Sequence, residues 1–277
     1  MLMRFILNFI FLTSIFMVSF FPRINNAGAQ DSYIFIRSDG SVDGTDKIII
    51  EGDYYTLTGN ITVESLFDDG IYVQKDNIVI DGSGYTLYGN GEGTGIHLFQ
   101  RTGVTVKNFH IVNWNVGISN PSKDCIVKGN WITESNIGIN ISGSSNCTFF
   151  ENDLYRNRDS VFITTGYNNN FTRNNIKKLA WSTAFLVPGI NHFEGNYWGE
   201  YNGVDINGDG FGDTPFTVYW IDYDTTNITC YDNRPMIKPI IIPEFPTMLT
   251  FKILILSIII LGIFYKQKLS KCYKKSN

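Results

Sequence analysis

The run VKGNWITESNIGINISGSSNCTFFENDLYRN, residues 127–157, decides the fold, because it contains one unit and most of the next. Asn130-Trp131-Ile132 returns as Asn152-Asp153-Leu154, then as Asn174-Asn175-Ile176 and Asn196-Tyr197-Trp198, each 22 residues after the last. Three residues before each Asn stands an apolar residue: Val127, Phe149, Phe171 and Phe193. A second motif runs between these, at Gly70-Ile71, Gly95-Ile96, Gly117-Ile118 and Gly138-Ile139, with looser copies at Ser160-Val161 and Ala184-Phe185. The apolar pattern within a unit alternates over three to five residues between Gly, Asn and Ser turns, and no stretch carries a helical period. Strands this short cannot bury a face alone, whereas stacking one unit on the next buries a continuous core. The predicted fold is therefore all-β: a right-handed parallel β-helix, a pectate-lyase-like solenoid of about 22 residues per coil, rising by one strand spacing of roughly 4.8 Å.

The recurring Asn130, Asn152, Asn174 and Asn196 have a physical reason to repeat. A stacked corner leaves peptide groups facing inward, and an amide side chain can bond its own coil and the amide above, forming a ladder. One coil earlier the spacing drops to 21, since Val106 and Ile111 precede Val127 and Ile132 by that number; this puts His110 rather than Asn108 in the ladder position, at a distorted corner. Cys125 and Cys147 occupy equivalent places in adjacent coils, with a Cα separation near 5 Å inside the disulfide range of about 4.4–6.8 Å. Their side chains would point the same way, which hinders the bridge torsion and leaves stacked free thiols as the competing arrangement.

Composition agrees with the period. Of 277 residues 28 are Asn and 26 are Gly, two types that helix interiors disfavour, which excludes a mostly helical protein. The 21 Phe, 15 Tyr and 5 Trp supply surface to bury, which argues against disorder.

The ends differ from this domain. Residues 1–29 read as a secretory signal peptide: Arg4, an apolar run from Phe5 to Phe21, then Ala27-Gly28-Ala29 as a cleavage site. Residues 30–69 form an N-terminal cap and first strands, 70–199 the β-helix repeats, and 200–242 a C-terminal cap. A Pro-containing linker follows at 243–247, and then an apolar run at 248–265 long enough to span a bilayer. The tail 266–277 carries Lys266, Lys268, Lys271, Lys274 and Lys275 and no acid, which places it in the cytoplasm and the large domain outside. The formal charge of −4 thereby divides unevenly: all 26 acids lie between Asp31 and Glu244 beside 14 bases, so the exported part is near −12. A surface of that sign repels phosphate backbones and excludes nucleic acid as a partner. Sequons at Asn60, Asn140, Asn146, Asn170 and Asn227 fit glycosylation outside the cell.

Several stretches resemble archaeal surface proteins of the NosD-like, right-handed β-helix group. They are Tyr33–Val42, Asp76–Gly82 with Gly84-Tyr85-Thr86-Leu87, the Asn-x-Ile coils, Gly195-Asn196-Tyr197-Trp198-Gly199, and Asp205–Pro215. Ile242-Pro243-Glu244-Phe245-Pro246 ahead of the apolar run resembles the C-terminal anchor of such proteins, some of which are cut. The resemblance implies a β-helix with carbohydrate-binding and sugar-hydrolase type repeats; the group's namesake is a periplasmic copper-binding protein. Copper handling wants clustered His, Met or Cys. His97, His110 and His192 fall in different repeats and Met236 stands alone, so copper is not the expected cargo.

Calcium is the better candidate. Asp205-x-Asn207-x-Asp209-Gly210-Phe211-x-Asp213 alternates oxygen-bearing side chains around a glycine, as the first half of an EF-hand loop does, with Phe211 offering its carbonyl. The twelfth position is Phe216, so the bidentate Glu is missing, and Glu200 or Asp222 would have to complete the shell of a structural, non-catalytic site. The acidic run Asp39–Asp46 lacks the alternation and reads as an N-terminal loop. Glu134, Arg156 and Lys178 share a column, which reads as opposite charges stacked at the surface. Trp114, Trp131, Tyr155, Tyr167, Trp181 and Tyr197 are spread over the repeats, and whichever are exposed can stack on sugars, while Trp198 at an Ile-equivalent position belongs to the core. The expected function is non-catalytic: glycan binding, adhesion or structure at the cell envelope, with envelope glycans or surface-layer components as partners. A β-helix polysaccharide lyase or glycoside hydrolase is the alternative and copper delivery the third.

Overall fold

The computed structural model describes residues 33–64, 69–177, 179–181, 191–223 and 226–241. The expected signal peptide, linker, membrane helix and basic tail lie outside these residues, as do the loose repeat at 184–187 and the side chains of Lys178, Trp181, Asp222 and Asn227. Among the described residues no helix is long and apolar enough to cross a membrane.

The chain winds through a parallel β-solenoid of about six turns, its coils stacking into three sheets. The first sheet runs from Val42–Asp43 through Ile34–Ile36, Ile71–Val73, Thr94–Thr102, Val116–Lys123, Ile137–Ser145 and Asp159–Tyr167 to Leu179–Trp181. The second includes Tyr54–Leu57, Val79–Asp81, Thr105–Lys107, Ile126–Lys128, Thr148–Phe150, Asn170–Thr172 and His192–Glu194. The third stacks Ile61–Thr62, Thr86–Tyr88, His110–Val112, Trp131–Thr133, Asp153–Leu154, Asn175–Ile176 and Tyr197–Trp198. Within each sheet the stacked coils pair in parallel, and antiparallel strands close the ends: Val42–Asp43 on the first sheet, and Ile48–Glu51 and Phe216–Tyr223 at opposite ends of the second.

Like residues stack on like. The first sheet sends Ile34, Ile71, Ile96, Ile118, Ile139 and Val161 inward in one register column, all fully buried. The second sends in Val127, Phe149, Phe171 and Phe193, and the three phenylalanine rings stack 4.4 and 4.6 Å apart and within 9° of parallel. Four consecutive strands of the first sheet, from Thr94–Thr102 to Asp159–Tyr167, reach eight or nine residues, longer than the alternation predicts. They continue through a corner by register shifts, with Gln100, Asn120 and Gly143 bending at positive φ.

Each corner couples a positive-φ residue to a buried one. Gly129, Glu151, Arg173 and Gly195 all have positive φ, and each is followed by a ladder amide. Asn130, Asn152, Asn174 and Asn196 are buried, and each donates its Nδ2 to the next Oδ1 at 3.0 Å along the first three rungs. Each Oδ1 also takes a backbone N–H from the coil before it, and each Nδ2 reaches back to a strand carbonyl: Val106, Val127, Phe149 and Phe171. The ladder position of the preceding coil belongs to Phe109, not His110. Its backbone N–H donates to Asn130 Oδ1 and its ring packs over Gly82, while His110 stands in the outward column between Thr86 and Trp131. The 21-residue spacing counts to position 109, and a ring over a glycine fills the corner that an amide fills later.

Cys125 and Cys147 are free thiols, buried at a second corner whose column continues as Asn169 and Asn191, a second amide ladder. Each thiol faces backbone carbonyls, Cys125 those of Arg101 and Lys123 and Cys147 those of Pro121 and Ser145, and the neighbouring Cys125 thiol together with burial pushes Cys147 up. Alkylation in denaturant without reductant is therefore expected to label both cysteines, and adding reductant to leave the unfolding midpoint where it is.

Candidate functional site

The strands of the third sheet are two or three residues long, so each sends one side chain into the core and its neighbours outward. Inward go Leu87, Ile111, Ile132, Leu154, Ile176 and Trp198, all buried, which places Trp198 in the core as its position implies. Outward, one register column reads Thr86, His110, Trp131, Asp153, Asn175 and Tyr197. Beside its last three members stand Tyr155, Lys177 and Gly199, and together with Pro239 these two rows line a cleft of about 510 Å³.

Its polar groups are held in place. Asp153 accepts the Tyr155 N–H at 3.1 Å on one oxygen and the Asn175 amide at 3.1 Å on the other. Asn175 also clamps the returning C-terminal segment, accepting from Ile240 N–H at 2.9 Å and donating to its carbonyl at 3.0 Å. Tyr155 is 52% exposed and carries the Lys177 ammonium 5.4 Å from its ring centre. Trp131 continues the strip one coil away, with His110 edge-on at 5.1 Å. The cleft thus offers aromatic faces, one carboxyl, one amide and one ammonium.

Burial raises the Asp153 carboxyl above its ordinary value. A carboxyl raised by folding holds a proton that the unfolded chain has released, so its contribution to stability is fully present below the unfolded value of about 3.9 and declines as pH rises through the folded one. Asp153→Asn is expected to remove that slope, which urea midpoints measured across the acid range will show.

Of the other aromatic residues, Tyr167 is exposed, whereas Trp114 is buried at the corner over Gly89, its indole N–H donating to the Leu87 carbonyl at 3.1 Å. The three histidines lie on three sheets, His97 on the first, His192 on the second and His110 on the third. Coil stacking pairs His97 Nδ1 with Asp69 at 2.8 Å beside the Tyr72 ring. Nothing in the spacing of 28 residues signals this pair.

Asp205, Asn207, Asp209, Phe211 and Asp213 share one turn. Asp205 accepts from the backbone N–H groups of Gly208, Asp209 and Gly210, Asn207 from Asp209, Asp209 from Phe211, and Asp213 from Ile206. The Arg234 guanidinium donates to Asp209 at 3.3 Å and lies over the Phe211 ring. Among the described residues no three His, Cys, Asp or Glu side chains converge as a metal would require. The run Asp39–Asp46 spans the end of the turn after Ile34–Ile36, the strand Val42–Asp43 and the bend that follows, with Asp39 accepting from Ser41 and Arg37 paired with Asp43. Arg156 meets Glu134 at 3.8 Å and Arg173 meets Glu151 at 3.0 Å on exposed corners, where such pairs contribute about 0–1 kcal/mol. Asn60, Asn146 and Asn170 are exposed, and Asn140 is half-buried between Ser119 and Phe162.

Comparison with protein-family models, with curated proteins and with solved structures finds no match to this chain.

Proposed function

We propose that the solenoid is a non-catalytic glycan-binding domain displayed outside the cell, serving adhesion or envelope structure. The observation that carries the reading is the cleft beside Asp153: Tyr155 and Tyr197 present ring faces, and Asp153, Asn175 and Lys177 supply the hydrogen-bonding groups that a hydroxyl-rich ring needs. The acidic balance and the exposed sequons Asn60, Asn146 and Asn170 support an external setting. The signal peptide at 1–29 and the anchor at 248–265 belong to the same reading, with a NosD-like surface protein as the family. Right-handed winding follows from the general preference of parallel crossover connections. A glycan array with the full chain in detergent tests this. Binding is expected, and Tyr155→Ala is expected to weaken it several-fold. A silent array, or binding indifferent to Tyr155→Ala and Trp131→Ala, overturns it.

The enzymatic alternative has one observation on its side, the raised carboxyl of Asp153 inside the cleft. A glycosidase flanks the scissile bond with two carboxyl groups, and the cleft lining contains one. Product analysis of any glycan bound separates the two readings.

A structural calcium at the Asp205 turn completes the proposal, supported by the alternating oxygens and by the tight bends at Gly208 and Gly210, both at positive φ. Binding requires Arg234 to release Asp209 and Asp213 to swing from Ile206. Calcium is expected to raise the unfolding temperature of the parent and not of Asp205→Ala; an unchanged midpoint in both removes the site.

A further inference from the structure

The N-terminal end of the second sheet is closed by the hairpin Ile48–Glu51 with Tyr54–Leu57, and Ile48–Glu51 is its last strand. Among the described residues no strand pairs with its outer side. This edge is apolar on both faces: Ile49 is 52% and Ile50 43% exposed. Natural edges of this kind are usually blunted by charge, bulge or proline, and the run 47–51, Lys-Ile-Ile-Ile-Glu, confines its charges to the two ends.

The backbone fixes which groups are open. Thr58 N–H donates to the Lys47 carbonyl at 2.9 Å, while the Lys47 N–H goes to Thr45 Oγ1, so by antiparallel alternation Ile49 and Glu51 turn their peptide groups toward Tyr54–Leu57. Ile48 and Ile50 turn theirs to the open side. Pairing two such edges antiparallel about a two-fold axis at Ile49 sets Ile48 of one copy against Ile50 of the other, which joins the open N–H and C=O groups in both directions. The same register sets Lys47 against Glu51 at each end. Sliding by two residues either way also pairs open groups but loses the charge match. Hydrogen-bond polarity, apolar exposure and charge thus select one register, and its partner is self-complementary.

We infer that Ile48–Glu51 is a homodimerisation edge through which two copies of this chain join their second sheets end to end, in the register that pairs Lys47 with Glu51. The inference is independent of the glycan-binding reading. In this register Ile49 meets its own copy as a non-hydrogen-bonded pair, with Cα atoms about 4.5 Å apart, inside the disulfide range of about 4.4–6.8 Å.

The test is disulfide trapping of the full chain in detergent micelles, using oxidised glutathione as oxidant, with the parent chain's own thiols as background. Ile49→Cys is expected to give a covalent dimer, and Thr56→Cys, one strand inside the edge, is not. Adding Glu51→Lys to Ile49→Cys is expected to cut trapping at least fivefold, and adding Lys47→Glu as well to restore it. No dimer from Ile49→Cys, as would follow if a segment of the chain itself covered this edge, overturns the inference. So does trapping that Thr56→Cys matches, or that ignores charge reversal. Unfolding temperatures of the variants, all at the exposed hairpin, establish that each is folded.

Discussion

Replacing Asp232 with Leu is expected to lower the unfolding free energy by about 3–5 kcal/mol. The reason lies in the polarity of the amide ladder. Each rung after Asn130 accepts two N–H groups from the coil before and donates toward the coil after, so donors accumulate at the C-terminal end. Asn196 is the last amide, and its donors end on Asp232, which is fully buried. One Asp232 oxygen accepts from Asn196 N at 2.9 Å, Asn196 Nδ2 at 3.2 Å and Trp198 Nε1 at 2.9 Å; the other accepts from Gly195 N at 3.0 Å and Arg234 N at 3.1 Å. Five donors converge on one acceptor-only side chain. Leu would leave all five facing carbon. Asp232→Asn keeps the shape and discriminates between volume and polarity: its amide nitrogen is best placed toward Gly195 and Arg234, where it opposes two N–H groups, at a cost of about 1–3 kcal/mol. Urea unfolding orders the variants, and equal stability of parent, Asn and Leu forms would show that the ladder needs no terminating acceptor.

Asp232 also shows where the sequence stops being legible. The rungs from Asn130 to Asn196 recur every 22 residues and can be read directly, as can the phenylalanine column beside them. Asp232 follows Asn196 by 36, because the turn around Asp205 and the hairpin of Phe216–Tyr223 with Thr226–Asp232 intervene before the chain returns to the stack. A period cannot announce a residue that arrives after an insertion. The same limit applies to Asp69 and His97, which coil stacking alone brings together. At Phe109 the obstacle is different: a 21-residue coil shifts the count by one, and an aromatic over a glycine replaces an amide. The candidate cleft was legible only as a set of aromatic residues. Which of them face out depends on strand phase within pieces two or three residues long. That phase buries Trp198 and exposes Trp131, whereas the corners decide the others, tucking Trp114 over Gly89 and leaving Tyr155 out.

The Gly-Ile motif could be read as a period but not as a constraint, and the constraint carries the second large effect. Gly70, Gly95, Gly117 and Gly138 stack where the first sheet begins each coil, and each sits under a carbonyl of the coil above. A methyl group at Gly117 would stand 2.6 Å from the Gly138 carbonyl oxygen and would also meet a methyl of Ile132; at Gly95 it would stand 2.6 Å from the Gly117 oxygen. Neither neighbour can yield cheaply, since the carbonyl belongs to a strand paired on both sides and Ile132 is buried in the core. Gly117→Ala is therefore expected to cost about 3 kcal/mol, the upper range for overpacking, and to lower the unfolding temperature by about 6–12 °C. Gly143→Ala is the control. Its φ of 72° strains any L side chain, but nothing lies within 4 Å of the added methyl, so its cost is backbone strain alone, about 1–2 kcal/mol. Because each coil touches only its neighbours, the damage from Gly117→Ala should be local. Hydrogen exchange should accelerate at Ile118 and Ile139 and stay slow at Ile34 and Phe193. If Gly117→Ala proves no costlier than Gly143→Ala, the coils can separate to admit a side chain, and the glycine column reflects turn preference instead of close approach.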